Sequence, residues 1–282
     1  MFYLKVSRPG LWFPTVWLYL LPVMGADIWD KIPFWIGLLF VTFPLNFLVY
    51  GWNDMADYDI DHFNQRKDTY LFGARGEFEE LQRLPMLIAI TQLISGVVLV
   101  YFSGWEMIPI LLGVVFFCWI YNAKDWGLRT HPPFELVCQA GYLLVLPLSC
   151  LLNQTPMLGW QVWVYLFLFC SQSQLIGEVM DIEPDREGGR RTIATVLGKE
   201  KTKILIIAVV LLEAALVWHW FSDIIFSIGL CVFALWLCLD RFVFYRNREY
   251  TMLEFMIFGV GSNLIAVMSM IYVWNTQLFL LR

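Results

Sequence analysis

What most limits the fold of this chain is a succession of nine apolar runs, near 11–29, 33–52, 85–103, 105–121, 134–152, 158–178, 203–221, 224–245 and 252–278. Each approaches the roughly 17–25 residues that a helix needs to cross about 30 Å of hydrocarbon. Inside a bilayer the backbone must satisfy its own polar groups, and a run of this kind does so as a helix. The chain therefore reads as all-α: a polytopic membrane protein with nine transmembrane helices in one bundle, residues 1–282 forming a single domain. Composition agrees, since 59% of residues are hydrophobic, 15% are charged and the mean hydropathy is +0.64, values that exclude an ordinary water-soluble domain. Met1 to Ala26 reads as a retained first helix and not as a signal peptide, because Pro14 and Pro22 interrupt the run and no small-residue cleavage site follows.

The net charge of −5 is less informative than where the charges fall. With the N-terminus cytoplasmic, nine crossings put seventeen basic residues on the inner side and leave only Lys31 and Arg282 outside. Such an imbalance fixes the expected orientation of an integral, multi-pass protein in the lipid bilayer. Six cysteines (Cys118, Cys138, Cys150, Cys170, Cys231 and Cys238) lie in apolar runs without a CxxC or a cysteine–histidine pairing, so they read as packing residues. Nothing here points to nucleic acid as a partner.

The connections carry the chemistry. Outer loops are short, but the inner loops 53–84 and 179–202 are long, charged and rich in tyrosine, phenylalanine and isoleucine. Long loops of that composition are expected to fold into short helices capping the cytoplasmic mouth of the bundle. Both begin with the same spacing of acids. Asp54, Asp57 and Asp61 are separated by three and then four residues, and so are Glu178, Asp181 and Asp185. The repeat recurs four helices later, which places both triplets on the same membrane side.

On a helix, offsets of three and seven keep side chains on one face, so each triplet is expected to form a stripe of carboxylates; Asn53, Asp57 and Asp61 share a second stripe, and Asp59 faces away. Stacked like charges at a helix C-terminus are unfavourable and call for a cation. Hard oxygen donors without histidine or thiolate suit Mg²⁺, which takes one or two carboxylates, waters and phosphate oxygens. Two stripes facing across a cavity would hold two Mg²⁺ ions around one diphosphate. Arg66 and Lys67 after the first triplet, and Arg186, Arg190 and Arg191 after the second, would help neutralise its oxygens, although each serves equally as a positive-inside signal. Asn46 and Gln174, two turns below the motifs, could line an interior cavity or make helix–helix hydrogen bonds. Among 14 Trp, 23 Phe and 12 Tyr, some rings could line a chamber that stabilises a carbocation.

NDMADYDID and MDIEPDREGGRRT, read as Asn53-x-x-x-Asp57-x-x-x-Asp61 and Asp181-x-x-x-Asp185, resemble the two aspartate-rich motifs of the UbiA superfamily of intramembrane prenyltransferases. The stretch FPLNFLVYGWNDMADYDIDHFNQRKD is similar to the lycopene elongase branch. The resemblance spans the chain, including Arg8-Pro9 before the first helix. It implies a Mg²⁺-dependent enzyme that ionises an isoprenyl diphosphate and passes the prenyl group to a lipophilic acceptor. By position, Asn53, Asp57 and Asp61 would bind one Mg²⁺, and Asp181 and Asp185 the other, with Asp54 and Glu178 as supporting ligands. The family's tyrosine and lysine after the fourth helix, usually YxxxK, correspond here to Tyr121-Asn-Ala-Lys124, one residue shorter, which makes Arg129 a substitute for Lys124 as a diphosphate contact. Thr192 in GGRRT belongs to the same loop.

Such a site works by electrostatics: metal and cations stabilise charge on the departing diphosphate while a dry chamber keeps water from the allylic cation. No residue stands out as a general base, with Asp61 the nearest candidate. A UbiA-type terpene cyclase shares the ionisation step and is the alternative enzyme. A CDP-alcohol phosphotransferase would carry a DG-x-x-AR signature, absent here, and a secondary transporter would place its acids near the midplane. Asp57 and Asp181 are expected at the aqueous mouth. Glu135, Glu213, Glu254, His62, His131 and His219 are expected at membrane interfaces.

Overall fold

The computed structural model describes residues 1–58, 67–124, 126–244 and 251–280; Asp61 and Arg66 lie outside them. The described residues are helical, with no strand beyond an isolated bridge between Thr69 and Gly73. In chain order the helices are α1 (Phe2–Val6), α2 (Phe13–Leu20, extended by a 3-10 turn to Val23), α3 (Ile32–Ala56), α4 (Phe78–Ser103), α5 (Met107–Asn122), α6 (Phe134–Asn153), α7 (Trp160–Met180), α8 (Ile182–Glu187), α9 (Ile193–Leu197), α10 (Lys199–Phe221), α11 (Ile224–Leu239) and α12 (Met252–Thr276). Every predicted apolar run overlaps one of them. Six, namely α3, α4, α6, α7, α10 and α11 with its continuation to Phe244, are long and apolar enough to cross a membrane, whereas Phe13–Val23 and Met107–Asn122 are shorter. The second long loop does contain two short helices, α8 and α9; in the first, residues 67–77 form a turn and bridge, and 59–66 lie outside the described residues.

The helices form two compact units. The first comprises Met1–Met157 with Glu187–Arg190, and the second Leu158–Arg186 with Arg191–Arg282. In the first, α3 is the spine. Pro33 occupies its first turn, where a missing N–H costs nothing. Pro44 sits in its interior, where a proline removes one helical hydrogen bond and crowds the preceding turn. Side chains answer for the disturbance. Asn46 Nδ2 donates to the carbonyls of Val41 (2.8 Å) and Thr42 (2.7 Å) and to Thr15 Oγ1 (2.9 Å), Thr15 Oγ1 donates to the Val41 carbonyl (2.7 Å), and Gln92 Nε2 donates to the Pro44 carbonyl (2.7 Å). Asn46 is fully buried. Of the two roles open to it, helix–helix hydrogen bonding is the one its amide nitrogen performs beside the interior proline, while its Oδ1 is buried without a hydrogen-bond partner.

Close approach holds α2 and α6 against the same spine. A side chain at Gly37 would collide with the Tyr19 hydroxyl and Leu152. Tyr19 Oη donates to the Phe34 carbonyl (2.9 Å) and accepts from Asn153 Nδ2 (3.1 Å), and Ser149 Oγ donates to the Tyr19 carbonyl (2.6 Å).

In the second unit α7 packs on α10 and α10 on α11. Asp223 caps α11 through the Phe226 N–H (2.7 Å) and accepts the Tyr272 hydroxyl at 2.9 Å, which ties α12 to that end. At the opposite end of α10, Lys199 pairs with Glu183 (2.8 Å) and Arg241 with Glu200 (2.9 Å), while Lys203 pairs with Asp240, both nearly fully buried.

Candidate active site

Both acid motifs terminate a long helix, and they do so at equivalent residues. Asp57 is the C-cap of α3 with φ −102° and ψ 12°, and Asp181 is the C-cap of α7 with φ −101° and ψ 5°. The backbone thus repeats along with the spacing. It also corrects the expected continuous stripe of the second triplet, because α7 stops at Asp181 and Asp185 belongs to α8; the first stripe runs on to Asp61, outside the described residues. Like charges beside the partial negative charge of a helix end give the physical reason to stop there.

In the first motif the two described aspartates, Asp54 and Asp57, are held by four cations. Arg8 Nη2 and Lys67 Nζ donate to the same oxygen of Asp54, Oδ1, at 2.7 and 2.6 Å. Arg129 Nη1 pairs with Asp57 Oδ1, and its Nη2 takes the Ala56 carbonyl (2.6 Å), one of the carbonyls a helix end leaves open. Arg190 Nη1 reaches Asp57 Oδ2 (3.3 Å) and its Nη2 the Tyr121 hydroxyl (3.2 Å). Asn53 Nδ2 donates to Asp57 Oδ2 at 2.8 Å. Burial alone would raise the pKa of Asp57, but the charges of Arg190 and Arg129, then Lys67 and Arg8, outweigh it and hold the carboxyl below the ordinary aspartate range. Among the described residues, then, four positive groups gather at these two carboxylates, the kind of side chains that also bind phosphate oxygens.

Two local features shape this cluster. Arg8 stands in the left-handed region (φ 50°) just before Pro9, and its guanidinium lies 4.4 Å from the Tyr50 ring centroid. Gly73 has φ +94°, and a Cβ there would lie 2.9 Å from Arg8 Nε and 3.4 Å from Asp54 Oδ2. A glycine is needed where backbone passes so close. Asp54 Oδ2 itself is buried without a hydrogen-bond partner.

That orphaned oxygen is the observation against which Mg²⁺ can be tested. The donors at hand are carboxylate and carboxamide oxygens, the chemistry Mg²⁺ prefers. Among the described residues no three histidine, cysteine, aspartate or glutamate side chains converge on one point. A dedicated protein cage is thus not what these residues form; one or two carboxylates per ion, with water and phosphate completing the shell, fits them.

The second motif is built differently. Glu178 accepts from Gln174 Nε2 (3.2 Å) and from the Ala194 backbone N–H (3.2 Å), so its carboxylate joins α7 to the start of α9. Gln174, expected to line a cavity, has its amide on this carboxylate. Asp185 is buried and Asp181 half-buried, and the Asp185 N–H bonds the Asp181 carbonyl (2.9 Å). Thr192 caps α9, exchanging hydrogen bonds with Thr195. The spacing Thr-x-x-Thr before an apolar run signals such a cap.

The remaining expectations divide. Lys67 and Arg129 are buried and engaged with the first motif, whereas Lys124 and Arg186 are exposed. Arg129, not Lys124, occupies the position beside the aspartates. Asp57, expected at the aqueous mouth, is only 3% exposed, because its two guanidinium partners cover it. Arg8 and Gly73 were not legible as site residues; the signal for Arg8 is its place before Pro9. Glu213, expected at an interface, is fully buried in the interior of α10.

A family model described as the UbiA prenyltransferase family matches residues 11–279. A lycopene elongase/hydratase of Corynebacterium glutamicum is 29% identical over 217 residues, covering 75% of this chain and 74% of that protein. The fold is similar to a UbiA homolog from Archaeoglobus fulgidus bound to DMAPP and Mg²⁺, with a TM-score of 0.70, 16% identity, and coverage of 98% of this chain and 99% of the other. The same homolog bound to GPP and Mg²⁺ gives a TM-score of 0.68 at 14% identity, covering 100% of each chain.

Proposed function

The chain belongs to the UbiA prenyltransferase family, and from that premise we propose that it transfers a prenyl group from an isoprenyl diphosphate to a lipophilic acceptor within the membrane, with Mg²⁺ and with release of diphosphate. The observation that carries this reading is the cluster of Arg8, Lys67, Arg129 and Arg190 around Asp54 and Asp57, with one buried carboxylate oxygen left without a partner. Solved relatives bound to DMAPP or GPP with Mg²⁺ support the donor and the metal.

Two Mg²⁺ ions would supply charge stabilisation at the leaving diphosphate. Asn53, through its carbonyl oxygen, with Asp57 and Asp61 would hold one, and Asp181 and Asp185 the other. Asp54 keeps Arg8 and Lys67 in place beside the first, and Arg129 and Arg190 carry donors that exchange between Asp57 and phosphate oxygens. Arg66 and Arg186 extend the positive field. The bundle's apolar body excludes water from the allylic cation. Nine crossings, with the N-terminus and both motifs cytoplasmic, complete the arrangement.

The likeness to the lycopene elongase/hydratase of Corynebacterium glutamicum favours transfer to a polyene acceptor over self-cyclisation of the donor. Protein in bilayers, given isoprenyl diphosphates of several lengths with and without lycopene, tests this by product mass spectrometry. Prenylated lycopene formed with Mg²⁺ and lost in EDTA is expected. A cyclic hydrocarbon formed without acceptor would replace transfer by cyclisation.

A further inference from the structure

The second unit holds a carboxyl group that the reaction above does not use. Glu213 lies in the middle of α10, is fully buried, and neither of its oxygens has a hydrogen-bond partner. α10 packs against α7, the helix that carries the buried Tyr165 and Cys170. The next two residues of α7 repeat the pattern: Ser171 Oγ and Gln172 Oε1 are also buried without partners. Buried polar atoms in folded proteins are nearly always hydrogen-bonded. Several orphans on two packed helices, in segments otherwise apolar, mark a place built to receive a hydrogen-bonding group.

Position along α7 adds a second argument. Cys170, Gln174, Gly177 and Asp181 fall at offsets of four, seven and eleven, one stripe of the helix. The rise per residue puts Asp181 about 16 Å along the axis from Cys170. Between them the helix is open at Gly177, where a Cβ would meet nothing within 4 Å. An elongated molecule lying on this stripe could have one end at Asp181 and reach the neighbourhood of Glu213 with the other.

We propose that Glu213 is a hydrogen-bonding subsite for a single uncharged oxygen, supplied by water or by the hydroxyl of an isoprenoid alcohol, at the apolar end of the α7 stripe. An ionised carboxylate without a partner at this depth is costly, whereas the acid form offers one O–H donor and one acceptor, a match for a hydroxyl or a water. The relation to Asp181 rests on the function proposed above; the subsite does not, and its test uses neither Mg²⁺ nor diphosphate.

Infrared spectra of the protein in bilayers, wild type against Glu213→Gln, read the carboxylic C=O stretch directly. The expected result is a band in the wild type that the variant loses, and that shifts to lower frequency either on addition of farnesol or on passing from a dried to a hydrated film. A farnesol shift identifies the alcohol as occupant, and a hydration shift alone identifies water. Absence of a Glu213→Gln-sensitive band, or a band that neither treatment moves, overturns the proposal. Should the variant fail to fold, labelling of wild-type Glu213 by dicyclohexylcarbodiimide, located by peptide mass spectrometry, takes its place. Labelling slowed several-fold by farnesol or by hydration supports the subsite. An unlabelled Glu213, or a rate indifferent to both, refutes it.

Discussion

The two acid motifs share spacing and backbone but not surroundings. Asp57 and Asp181 end their helices with nearly the same dihedral angles. Around the first motif stand four cations, two on Asp54 and two on Asp57; in the second, Glu178 is spent on a side-chain amide and a backbone N–H. The same arithmetic of acids therefore supports different work. One copy gathers cations around its acids, and the other uses its first acid to brace a loop. Repetition in sequence predicts repeated geometry more securely than repeated chemistry.

The largest expected effect separates the copies by stability. Asp57→Asn and Asp181→Asn should each reduce Mg²⁺-dependent diphosphate release by about 10²–10³-fold, the range for losing one electrostatic stabiliser. Asp57→Asn should destabilise the fold the more, by about 3–5 kcal/mol, since it strands buried guanidinium groups whereas Asp181 is only half-buried. Thermal unfolding in detergent checks this; equal melting temperatures for the two variants would erase the difference drawn here.

Arg129 and Lys124 give the next test. Arg129→Ala should raise KM for the isoprenyl diphosphate at least tenfold, because the guanidinium both neutralises Asp57 and caps α3. Lys124→Ala should leave KM within about twofold, as exposed charges contribute little. A reversed order would restore Lys124 to the place that the YxxxK pattern assigns it.

Glu178 distinguishes bracing from metal binding. An amide can still accept from the Ala194 N–H, so Glu178→Gln should stay within a few-fold of wild-type turnover, while Glu178→Ala loses about 1–3 kcal/mol of stability. If Glu178 were a metal ligand, both variants would fall together and their Mg²⁺ dependence would shift. Gly73→Ala should cost about 1–2 kcal/mol from its left-handed backbone, measured by the same unfolding assay.

The smallest effect is with pH. Because Asp57 titrates below the ordinary aspartate value of about 3.9, its ion pairs contribute fully at neutral pH. That contribution is lost only as pH falls through the depressed value. The stability gap between wild type and Asp57→Asn should therefore stay constant from neutrality to about pH 5 and close only in stronger acid. A gap that closes between pH 5 and 7 would contradict the charge balance around Asp57.

Much of the fold was legible because hydrophobic length is a one-dimensional property. Each helix in the described residues except α1 answers to an apolar run or falls in a long inner loop, as α9 does behind its cap Thr192. Side-chain partnership is different, since it depends on which elements meet. Nothing in the spacing tells that Arg8, Lys67, Arg129 and Arg190 share one cluster, or that Pro44 would draw Asn46 into repairing its own helix. Glu213 was misplaced for the same reason: its neighbours in sequence are apolar, and only the packing of α7 on α10 shows that it turns inward.

The central claim is that both motifs bind divalent metal at one diphosphate. Counting Mn²⁺ by electron paramagnetic resonance in the presence of an unreactive thiolo analogue of the isoprenyl diphosphate tests it most directly. The account predicts two ions per chain in the wild type, one in Asp57→Asn and one in Asp181→Asn. A count unchanged by either substitution, or analogue binding indifferent to EDTA, would contradict it.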